Sequence, residues 1–501
     1  MKLFSPAISR LARLRLWQID EWVNNPVAAQ REVLQELVTS AQYTVFGRQF
    51  GFNKLFNVRT FKQTVPVHEY DDLKPYIERM MGGEDNVLWN TPIRWFAKSS
   101  GTTSERSKFI PVSDESLEEN HYQGAKDVLT LYYRFNPDSG LLTGKGLVIG
   151  GSHQISQASE DISYGDLSAV LLQNSPYWAH WIRTPELSIA LMDEWEHKIE
   201  QLALSTIPEN VTSISGVPTW NLVLMKHILT LTGKSSIAEI WPALELYIHG
   251  GVSFVPYREQ FRQLIGKNIH YLEMYNASEG FFAAQDSPDE DGMLLFTRHG
   301  VFFEFMPLEE YGKKFPYTVG LNKVELGKNY APIISTNGGL WRYIIGDTIQ
   351  FTSLKPYRIK VSGRLKHYIN AFGEEVIVDN SDKAIAIACE KTGACVTDYT
   401  AGPVYFSQHG NGAHEWLIEF EKPPADIALF AYELDSALKN CNSDYEAKRH
   451  KDIALRMPLV HAVRKGLFNE WLSNKGKLGG QHKVPRLSND RKLLETLLTM
   501  I

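Results

Sequence analysis

The sequence predicts an α/β protein with two domains, a large N-terminal α/β domain and a small, mobile α+β C-terminal domain. Three observations support this prediction. The chain of 501 residues is too long for one ordinary hydrophobic core. Helical segments alternate with short apolar strands that end in glycines, which is typical of layered α/β folds. The character of the sequence changes after Gly363, and we therefore expect domains over residues 1–361 and 362–501.

The first domain shows the alternation most clearly. Apolar residues at helical spacing predict helix over 7–45, and the runs LVIGG and LYIHGG predict buried strands that stop at glycines. From Tyr271 to about Phe351, strands follow one another. The other predicted elements are a strand around Trp95, helix over 114–134, strands over 146–149 and 244–249, and helices over 187–206 and 219–232.

The second domain is predicted to mix helices and strands in a shorter chain. The pattern indicates helices over 381–391 and 427–440, with strands over 396–406 and 415–420 between them. A basic tail with several glycines follows. The polar, basic segment at 361–366 separates the two parts, and such a linker can serve as a hinge when two domains close on a ligand.

The charge balance and cysteine content exclude several classes of protein. Lys and Arg number 52 against 58 Asp and Glu, which gives a net charge of −6 and no general attraction for nucleic acids. Three cysteines without a CxxC pair indicate neither a disulfide framework nor a zinc site and fit a reducing, cytoplasmic setting. No apolar run approaches membrane-spanning length. Arginines interrupt the apolar N-terminal segment, which favours an amphipathic packing helix over a signal peptide or an interfacial membrane helix.

A hydroxyl-rich loop, SSGTTSERSK, covers residues 99–108. Backbone N–H groups of a tight turn can bind an anion, and Ser and Thr hydroxyls add donors without bulk. Lys108 at its end supplies a charge suited to a polyphosphate. The spacing is not that of a Walker A loop, and by itself the stretch is equally consistent with a polar surface turn.

Two carboxylates and one lysine follow at the ends of predicted elements. Glu279, in YNASEG, comes after a strand and could hold Mg²⁺ together with phosphate oxygens. Asp347, in YIIGD, could accept hydrogen bonds from a ribose diol. Lys483 lies in a glycine-flanked loop and could swing into a cleft. Each signal alone is weak, because a solvated glutamate, a Gly-Asp turn and an exposed lysine are common features.

The order of these stretches carries more information than any one of them. Taken together, they resemble the adenylate-forming superfamily of luciferases, acyl-CoA synthetases and adenylation domains. The closer resemblance is to the Gretchen Hagen three family of acyl-acid amido synthetases, also called the auxin-responsive promoter family. The matching stretches are SSGTTSERSKFIPVS, YIHGGVSFVPYREQF, YNASEG, YIIGD and HKVPR, which span nearly the whole chain.

The resemblance implies ATP and Mg²⁺ as cofactors and assigns roles residue by residue. The loop would cradle the phosphates, Tyr275 would flank the adenine, Asp347 would bind the ribose, and Glu279 would hold Mg²⁺. Lys108, Glu279 and Lys483 would be the catalytic residues. The implied ATP-binding set is Ser99, Ser100, Gly101, Thr102, Thr103, Lys108, Gly250, Gly251, Tyr275, Ala277, Ser278, Glu279, Asp347, Arg364 and Lys366.

The acyl pocket is implied less directly. Family position suggests Tyr122, Val217, Pro218 and Trp220, although Trp220 is equally well explained as a core residue at a helix start. The family often carries a basic residue directly after the tyrosine of YIIGD, whereas here Ile344 follows it and Arg342 precedes it.

The implied reaction has two half-steps. A carboxylate attacks the α-phosphorus of ATP to give an acyl-adenylate and pyrophosphate, and an amine, by family an amino acid, then gives the amide and AMP. Two alternatives stay open at this point, namely an acyl-CoA or acyl-adenylate synthetase that uses a thiol, and a nucleotide-binding module without turnover. The expected partners are a small carboxylic acid and an amine, without nucleic acid or membrane, and we expect a monomer or weak homo-oligomer.

Overall fold

The structure is a computed structural model of the chain. It describes residues 5–55, 57–99, 108–149, 155–159, 161–192, 195–251, 254, 257–365, 368–369, 371, 374, 376–404, 412–442, 445–446, 449, 455–475, 483–488 and 490–501. The mixed α/β prediction is confirmed.

The N-terminal segment forms helices α1 (Ser5–Asn24) and α2 (Pro26–Ala41). The prediction of continuous helix over 7–45 is wrong at two points, because α1 ends at Asn24 and α2 ends at Ala41, with residues 42–44 in a turn. Pro26 lacks an N–H group, so it starts a new helix instead of continuing the first. Helix α1 packs through Ile19 and Trp22, and its Arg15 contacts the buried Asp127 carboxylate at 2.7 Å. Among the described residues, no helix combines the length and apolarity needed to cross a membrane.

Nine further helices belong to the N-terminal part that the structure describes. The predicted helix over 187–206 is wrong in its continuity, because one helix ends at Ala190 and the next begins at Trp195. The helix predicted over 114–134 begins with a π-helical segment, Ser116–Tyr122. The helices are α3 (Val45–Gln49), α4 (Val58–Thr64), α5 (Tyr70–Met81), α6 (Gln123–Phe135), α7 (Leu167–Gln173), α8 (Leu187–Ala190), α9 (Trp195–Thr206), α10 (Pro218–Thr232) and α11 (Arg258–Ile265).

The strands of this part form two sheets within the described residues. They are β1 (Trp95–Ser99), β2 (Lys108–Val112), β3 (Lys145–Val148), β4 (Ser156–Ser159), β5 (Ile162–Gly165), β6 (Arg183–Thr184), β7 (Val211–Gly216), β8 (Leu246–Gly250), β9 (His270–Ala277), β10 (Gly280–Ala284), β11 (Met293–Leu295), β12 (Val301–Pro307), β13 (Asn329–Thr336), β14 (Tyr343–Ile344), β15 (Asp347–Leu354) and β16 (Tyr357–Arg364). A four-stranded sheet has the order β2-β1-β5-β4. A larger sheet has the order β12-β13-β15-β16-β11-β10-β9-β8-β7-β3-β6, with β14 paired to β13.

The larger sheet joins a parallel half to an antiparallel half. Strands β6, β3, β7, β8 and β9 run parallel. Antiparallel pairs then join the strands in the order β9, β10, β11, β16, β15, β13 and β12. The parallel strands are rich in buried residues, as expected for a sheet covered on both faces. Gly250 and Ala277 therefore end neighbouring parallel strands at the same edge of the sheet.

The C-terminal part has its own sheet and core. Its core packs Tyr399, Trp416 and Phe430 between helices and strands. The helix predicted over 381–391 begins earlier, at Val378. Strand β16 continues through residues 362–364, and the domain boundary at 361/362 stays a prediction. The elements are β17 (Tyr368–Ile369), β18 (Val376–Ile377), α12 (Val378–Thr392), β19 (Cys395–Val404), β20 (Ala413–Lys422), α13 (Ile427–Cys441), β21 (Leu459–Val463), α14 (Leu467–Asn474) and α15 (Lys492–Leu498), with sheets β19-β20-β21 and β17-β18.

Candidate active site

A carboxylate held from two sides marks the middle of the candidate site. Asp347 begins β15 opposite Arg364 at the end of β16, so the antiparallel register places their side chains together. Tyr275 donates its hydroxyl to Asp347 Oδ2 at 2.8 Å, and Arg364 Nε lies 2.9 Å from Oδ1. The Asp347 carboxylate raises the pKa of Arg364. Both carboxylate oxygens are thereby oriented toward fixed partners, with Tyr275 and Asp347 buried.

Two glycines bring backbone close to this carboxylate pair. A side chain at Gly250 would place its Cβ 2.5 Å from the carbonyl oxygen of Met274, so only glycine fits there. Gly251 has a φ of +78°, a conformation that glycine adopts without strain. Its carbonyl oxygen accepts a hydrogen bond from the Lys483 ammonium group. The C-terminal tail therefore reaches the edge of the parallel sheet.

Lys483 occupies an unusual electrostatic position. Burial lowers the pKa of its ammonium group to about 7, and Arg364 and Arg486 lower it further against the opposing effect of Asp347. A lysine with that pKa responds strongly to an added negative charge, because an anion within a few ångströms favours the protonated form. The site is thus arranged so that an incoming phosphate or carboxylate would restore the charge of Lys483.

Lys108 and Glu279 approach each other across the hydroxyl group of Tyr343. Lys108 Nζ lies 3.4 Å from this hydroxyl, which lies 3.5 Å from Glu279 Oε1. Lys108 Nζ is also 5.7 Å from the ring centroid of Tyr70. Burial raises the pKa of Glu279, and the positive charge of Lys108 opposes that increase. The Lys108 ammonium group and the Glu279 carboxylate are therefore held near each other without a direct ion pair.

The surroundings of Glu279 fit a magnesium ion bound mainly by a nucleotide. Among the described residues, no three His, Cys, Asp or Glu side chains converge on one point. Glu279 forms no salt bridge there, so its carboxylate is available to a cation. Mg²⁺ typically takes one or two protein carboxylates and fills its other positions with water and phosphate oxygens. The single carboxylate of Glu279 is therefore sufficient as the protein's ligand to such an ion.

The other sequence-derived residues fall into three groups. Ser100, Gly101, Thr102, Thr103 and Lys366 lie outside the described residues. The backbone of Ser99 pairs with that of Lys108 across β1 and β2, so both ends of the hydroxyl-rich loop are adjacent. Ser278 is buried and Ala277 is half-buried at the end of β9.

The proposed acyl residues lie at two places. Val217 and Pro218 connect β7 to α10, and a Cβ at Gly251 would be 3.7 Å from Val217 Cγ2. Val217 is therefore at the site, with Trp220 half-buried one turn further on. Tyr122 donates its hydroxyl to the carbonyl oxygen of Leu171 at 2.8 Å, which leaves only its ring for a substrate.

Several nearby residues were not singled out by the sequence. His249 precedes Gly250 and stacks on Phe254 with ring centroids 4.3 Å apart. Its burial and the charge of Arg258 lower its pKa to about 3, so it is neutral. Arg486 pairs with Asp382 and lies over the ring of Tyr399, which fixes the chain that follows Lys483. The only available signal was their place inside quoted stretches: His249 in YIHGG and Arg486 in HKVPR.

Arg342 does not reach this site. Its guanidinium group binds the buried Glu304 carboxylate, with Nε–Oε2 at 2.7 Å and a second bond at 2.9 Å. It also donates to the carbonyl oxygens of Lys62 and Val65. It therefore cannot replace the basic residue that the resemblance expects after Tyr343.

Comparisons with known proteins identify the family of the chain. The N-terminal domain model of the GH3 family matches residues 15–269, its central domain model matches 294–364, and its C-terminal domain model matches 379–492. Indole-3-acetic acid-amido synthetase GH3.3 of Arabidopsis thaliana is 23% identical, over 99% of this chain and 94% of the relative.

Two solved structures have a similar fold. The GH3.15 acyl acid amido synthetase has a TM-score of 0.79 and 20% identity, covering 97% of this chain and 95% of the other. A 2-hydroxyisobutyryl-CoA ligase in its postadenylation state has a TM-score of 0.59 and 12% identity, covering 95% and 92%. Since three family models together account for most of the sequence, the chain belongs to the GH3 family.

Proposed function

We propose that this protein is an acyl acid amido synthetase. It uses ATP to adenylate a carboxylic acid and transfers the acyl group to an amine, an amino acid in our proposal, giving an amide, AMP and pyrophosphate. The observation that carries this proposal is the meeting of Asp347, held by Tyr275 and Arg364, with Lys483 at the glycine-ended edge of the parallel sheet. Membership of the GH3 family supports the same reaction.

The first half-reaction joins two anions, and the protein lowers the cost of bringing them together. Asp347 would bind the ribose hydroxyls and Tyr275, Ala277 and Ser278 would flank the adenine and α-phosphate. Lys108 and the loop with Ser99, Ser100, Gly101, Thr102 and Thr103 would bind the β- and γ-phosphates, while Lys483 would contact the carboxylate or the α-phosphate. Positioning and charge neutralisation of this kind are the main contributions of a protein to phosphoryl and adenylyl transfer.

Mg²⁺ is part of the proposal, with Glu279 as its protein ligand, and it would supply neutralisation of the phosphate charge. The C-terminal part contributes Arg364, Lys366 and Lys483 and would close over the nucleotide as a mobile domain, which keeps water from the acyl-adenylate. Contacts across the cleft support this docked arrangement. Gln260 Nε2 lies 3.2 Å from Cys395 Sγ, and Lys226 lies 3.8 Å from Glu421.

The second half-reaction needs an apolar pocket for the acid and room for the amine. Val217, Pro218 and Trp220 at the start of α10, with the ring of Tyr122, would line the acyl pocket beside Gly250 and Gly251. The carbonyl carbon of the adenylate would lie where the amine nitrogen can attack it and AMP can leave. We expect the protein to act in the cytoplasm as a monomer or weak homo-oligomer, without nucleic acid or membrane.

The test is pyrophosphate release measured against a panel of carboxylic acids, with acid alone, acid plus amino acids, and acid plus CoA. We expect slow release with a suitable acid and faster, stoichiometric AMP formation with an amino acid. Turnover with CoA and none with amines would identify an acyl-CoA synthetase instead. No release with any acid would favour a nucleotide-binding module without turnover.

A further inference from the structure

A cavity of about 880 Å³ opens between α2, α4, β12 and the chain from 314 to 323. Its lining includes none of the residues assigned above to ATP, Mg²⁺ or the acyl group. We call it the basic cavity after the cations that line it. These are Arg31, Arg59, Lys62, Lys314, Lys323 and Arg342. Its volume lies in the range of pockets that bind small organic ligands, about 300–1,000 Å³.

The charge of the basic cavity is one-sided. Six cationic residues line it, and no Asp or Glu belongs to the lining. One carboxylate, Glu304, lies beneath the surface and is bound to Arg342, with Lys62 Nζ 3.6 Å away. In the described part of the chain, Arg31, Arg59 and Lys323 form no ion pair. This excess of positive charge is local, because the whole chain carries a net charge of −6.

Lys62 is the lysine of this set that contacts the buried Glu304 carboxylate. It is half-buried and donates to the carbonyl oxygen of Thr318 at 2.5 Å. Burial lowers its pKa, and the charges of Arg342 and Lys323 lower it further, whereas Glu304 raises it. An anion beside Lys62 would therefore relieve repulsion that the protein alone leaves in place.

The apolar part of the basic cavity is aromatic and open to water. Phe315 is 79% exposed and Tyr317 is 56% exposed, which is unusual for rings of this size. Lys314 Nζ lies 5.5 Å from the centroid of the Phe315 ring. Phe302 and Phe303 are buried at the inner wall. Apolar rings and ammonium groups therefore face the same volume.

We propose that the basic cavity binds an amphipathic organic anion. The apolar body of the ligand lies on Phe315, Tyr317 and Phe302, and its carboxylate, sulfonate or phosphate lies near Lys62, Arg59 and Lys323. Both features are needed, since the rings provide area to bury and the cations provide charge-assisted hydrogen bonds. The proposal concerns binding alone and does not depend on the reaction proposed for the active site.

The test uses 8-anilinonaphthalene-1-sulfonate, a fluorescent aromatic anion, titrated against the full chain. We expect Arg59→Glu/Lys323→Glu to raise its Kd at least tenfold. The matched control, Arg48→Glu/Lys126→Glu, has the same change of charge outside the basic cavity and should change the Kd by less than twofold. The uncharged dye N-phenyl-1-naphthylamine should bind wild type and Arg59→Glu/Lys323→Glu equally. Thermal unfolding and the milder Arg59→Gln/Lys323→Gln pair check that the fold is intact.

Three results would overturn the proposal. The first is an unchanged Kd in both cavity variants, and the second is equal weakening in the control pair, which would mean that only the net charge matters. The third is a failure of decanoate to displace the dye. Decanoate below its micelle concentration should displace the dye, whereas decanol should not. Binding to phosphatidylserine vesicles without any displacement by decanoate would show instead a surface for lipid bilayers.

Discussion

The candidate active site and the basic cavity use similar side chains in opposite ways. At the active site, positive and negative groups are interleaved, with Asp347 between Arg364 and Tyr275 and with Glu279 near Lys108. In the basic cavity, six cationic residues line the volume, and the buried carboxylate of Glu304 pairs with two of them, Arg342 and Lys62. The active site is organised before any ligand arrives, whereas the positive charge that Glu304 leaves unbalanced in the basic cavity faces solution ions or a bound anion.

This difference has a physical consequence. Charged groups that are already held in place rearrange little during a reaction. This preorganisation is the source of electrostatic stabilisation of a transition state. Exposed cations remain hydrated and interact only weakly with any one partner. They therefore suit reversible binding more than catalysis. Changes at the active site should therefore appear in rates, and changes near the basic cavity should appear in stability or affinity.

The largest effect is expected at Glu279. Replacement by Gln removes the one carboxylate that we assign to Mg²⁺, and acid-dependent ATP–pyrophosphate exchange should fall about 1,000-fold, as for loss of a principal charge-stabilising group. The exposed Glu325→Gln is the matched control and should leave the exchange unchanged. Exchange within threefold of wild type in Glu279→Gln would remove this residue from the reaction.

The next effect should appear in stability. Glu304→Gln leaves the buried Arg342 guanidinium without its counter-charge, and breaking such a pair costs about 3–5 kcal/mol of unfolding free energy. Urea denaturation measures it. Glu309→Gln, where the exposed Glu309 pairs with Lys328, should cost less than about 1 kcal/mol. A small loss in Glu304→Gln would mean that the floor of the basic cavity is already balanced without this pair.

The sequence predicted the candidate active site far better than the basic cavity. Glu279, Asp347 and Lys483 lie in short stretches with turn residues and strand ends, and their order along the chain carried the interpretation. The basic cavity draws Arg31, Arg59 and Lys323 from separate segments that have no local motif. Only the packing of α2, α4 and the 314–323 segment near β12 brings them together, and a linear pattern does not contain that information.

The fold was likewise predicted in type and less well in detail. Most residues of 7–45 and 187–206 are helical, but apolar periodicity does not report where Pro26, the turn at 42–44 or the turn after Ala190 divides a helix. Arg342 is instructive in the same way. It precedes the tyrosine of YIIGD, but its φ of +44° lies outside the extended range, so its side chain binds Glu304 while Tyr343 faces Lys108.

Lys483 should show a smaller loss of rate and a distinctive pH profile. Lys483→Ala should lower kcat/KM for adenylation about 100-fold and affect amine transfer from added acyl-adenylate less. Burial lowers the pKa of Lys483 to about 7, so its ammonium group loses its proton as the pH rises. The value of kcat/KM should therefore fall tenfold per pH unit above neutrality. Lys483→Arg, which stays charged, should lose that decline. The exposed Lys475→Ala serves as control, and a pH profile identical in wild type and Lys483→Arg would contradict the assignment.

The smallest effect is expected at Asp347. Asn keeps one acceptor oxygen but loses the charge that Arg364 and Tyr275 hold in place, so KM for ATP should rise about tenfold with a smaller change in kcat.

A nucleotide without the ribose hydroxyls shows whether the tenfold rise in KM comes from a lost contact between Asp347 and the ribose. If Asp347 binds the ribose hydroxyls, 2′,3′-dideoxy-ATP should be a poor substrate for the wild type and no poorer for Asp347→Asn, because the contact is already missing. The two changes are then coupled, as neighbouring groups in one interaction are. Full additivity would mean that Asp347 orients Arg364 and not the nucleotide. In that case the interleaved charges of the active site would have a structural role, and the contrast with the basic cavity would rest on Glu279 and Lys483 alone.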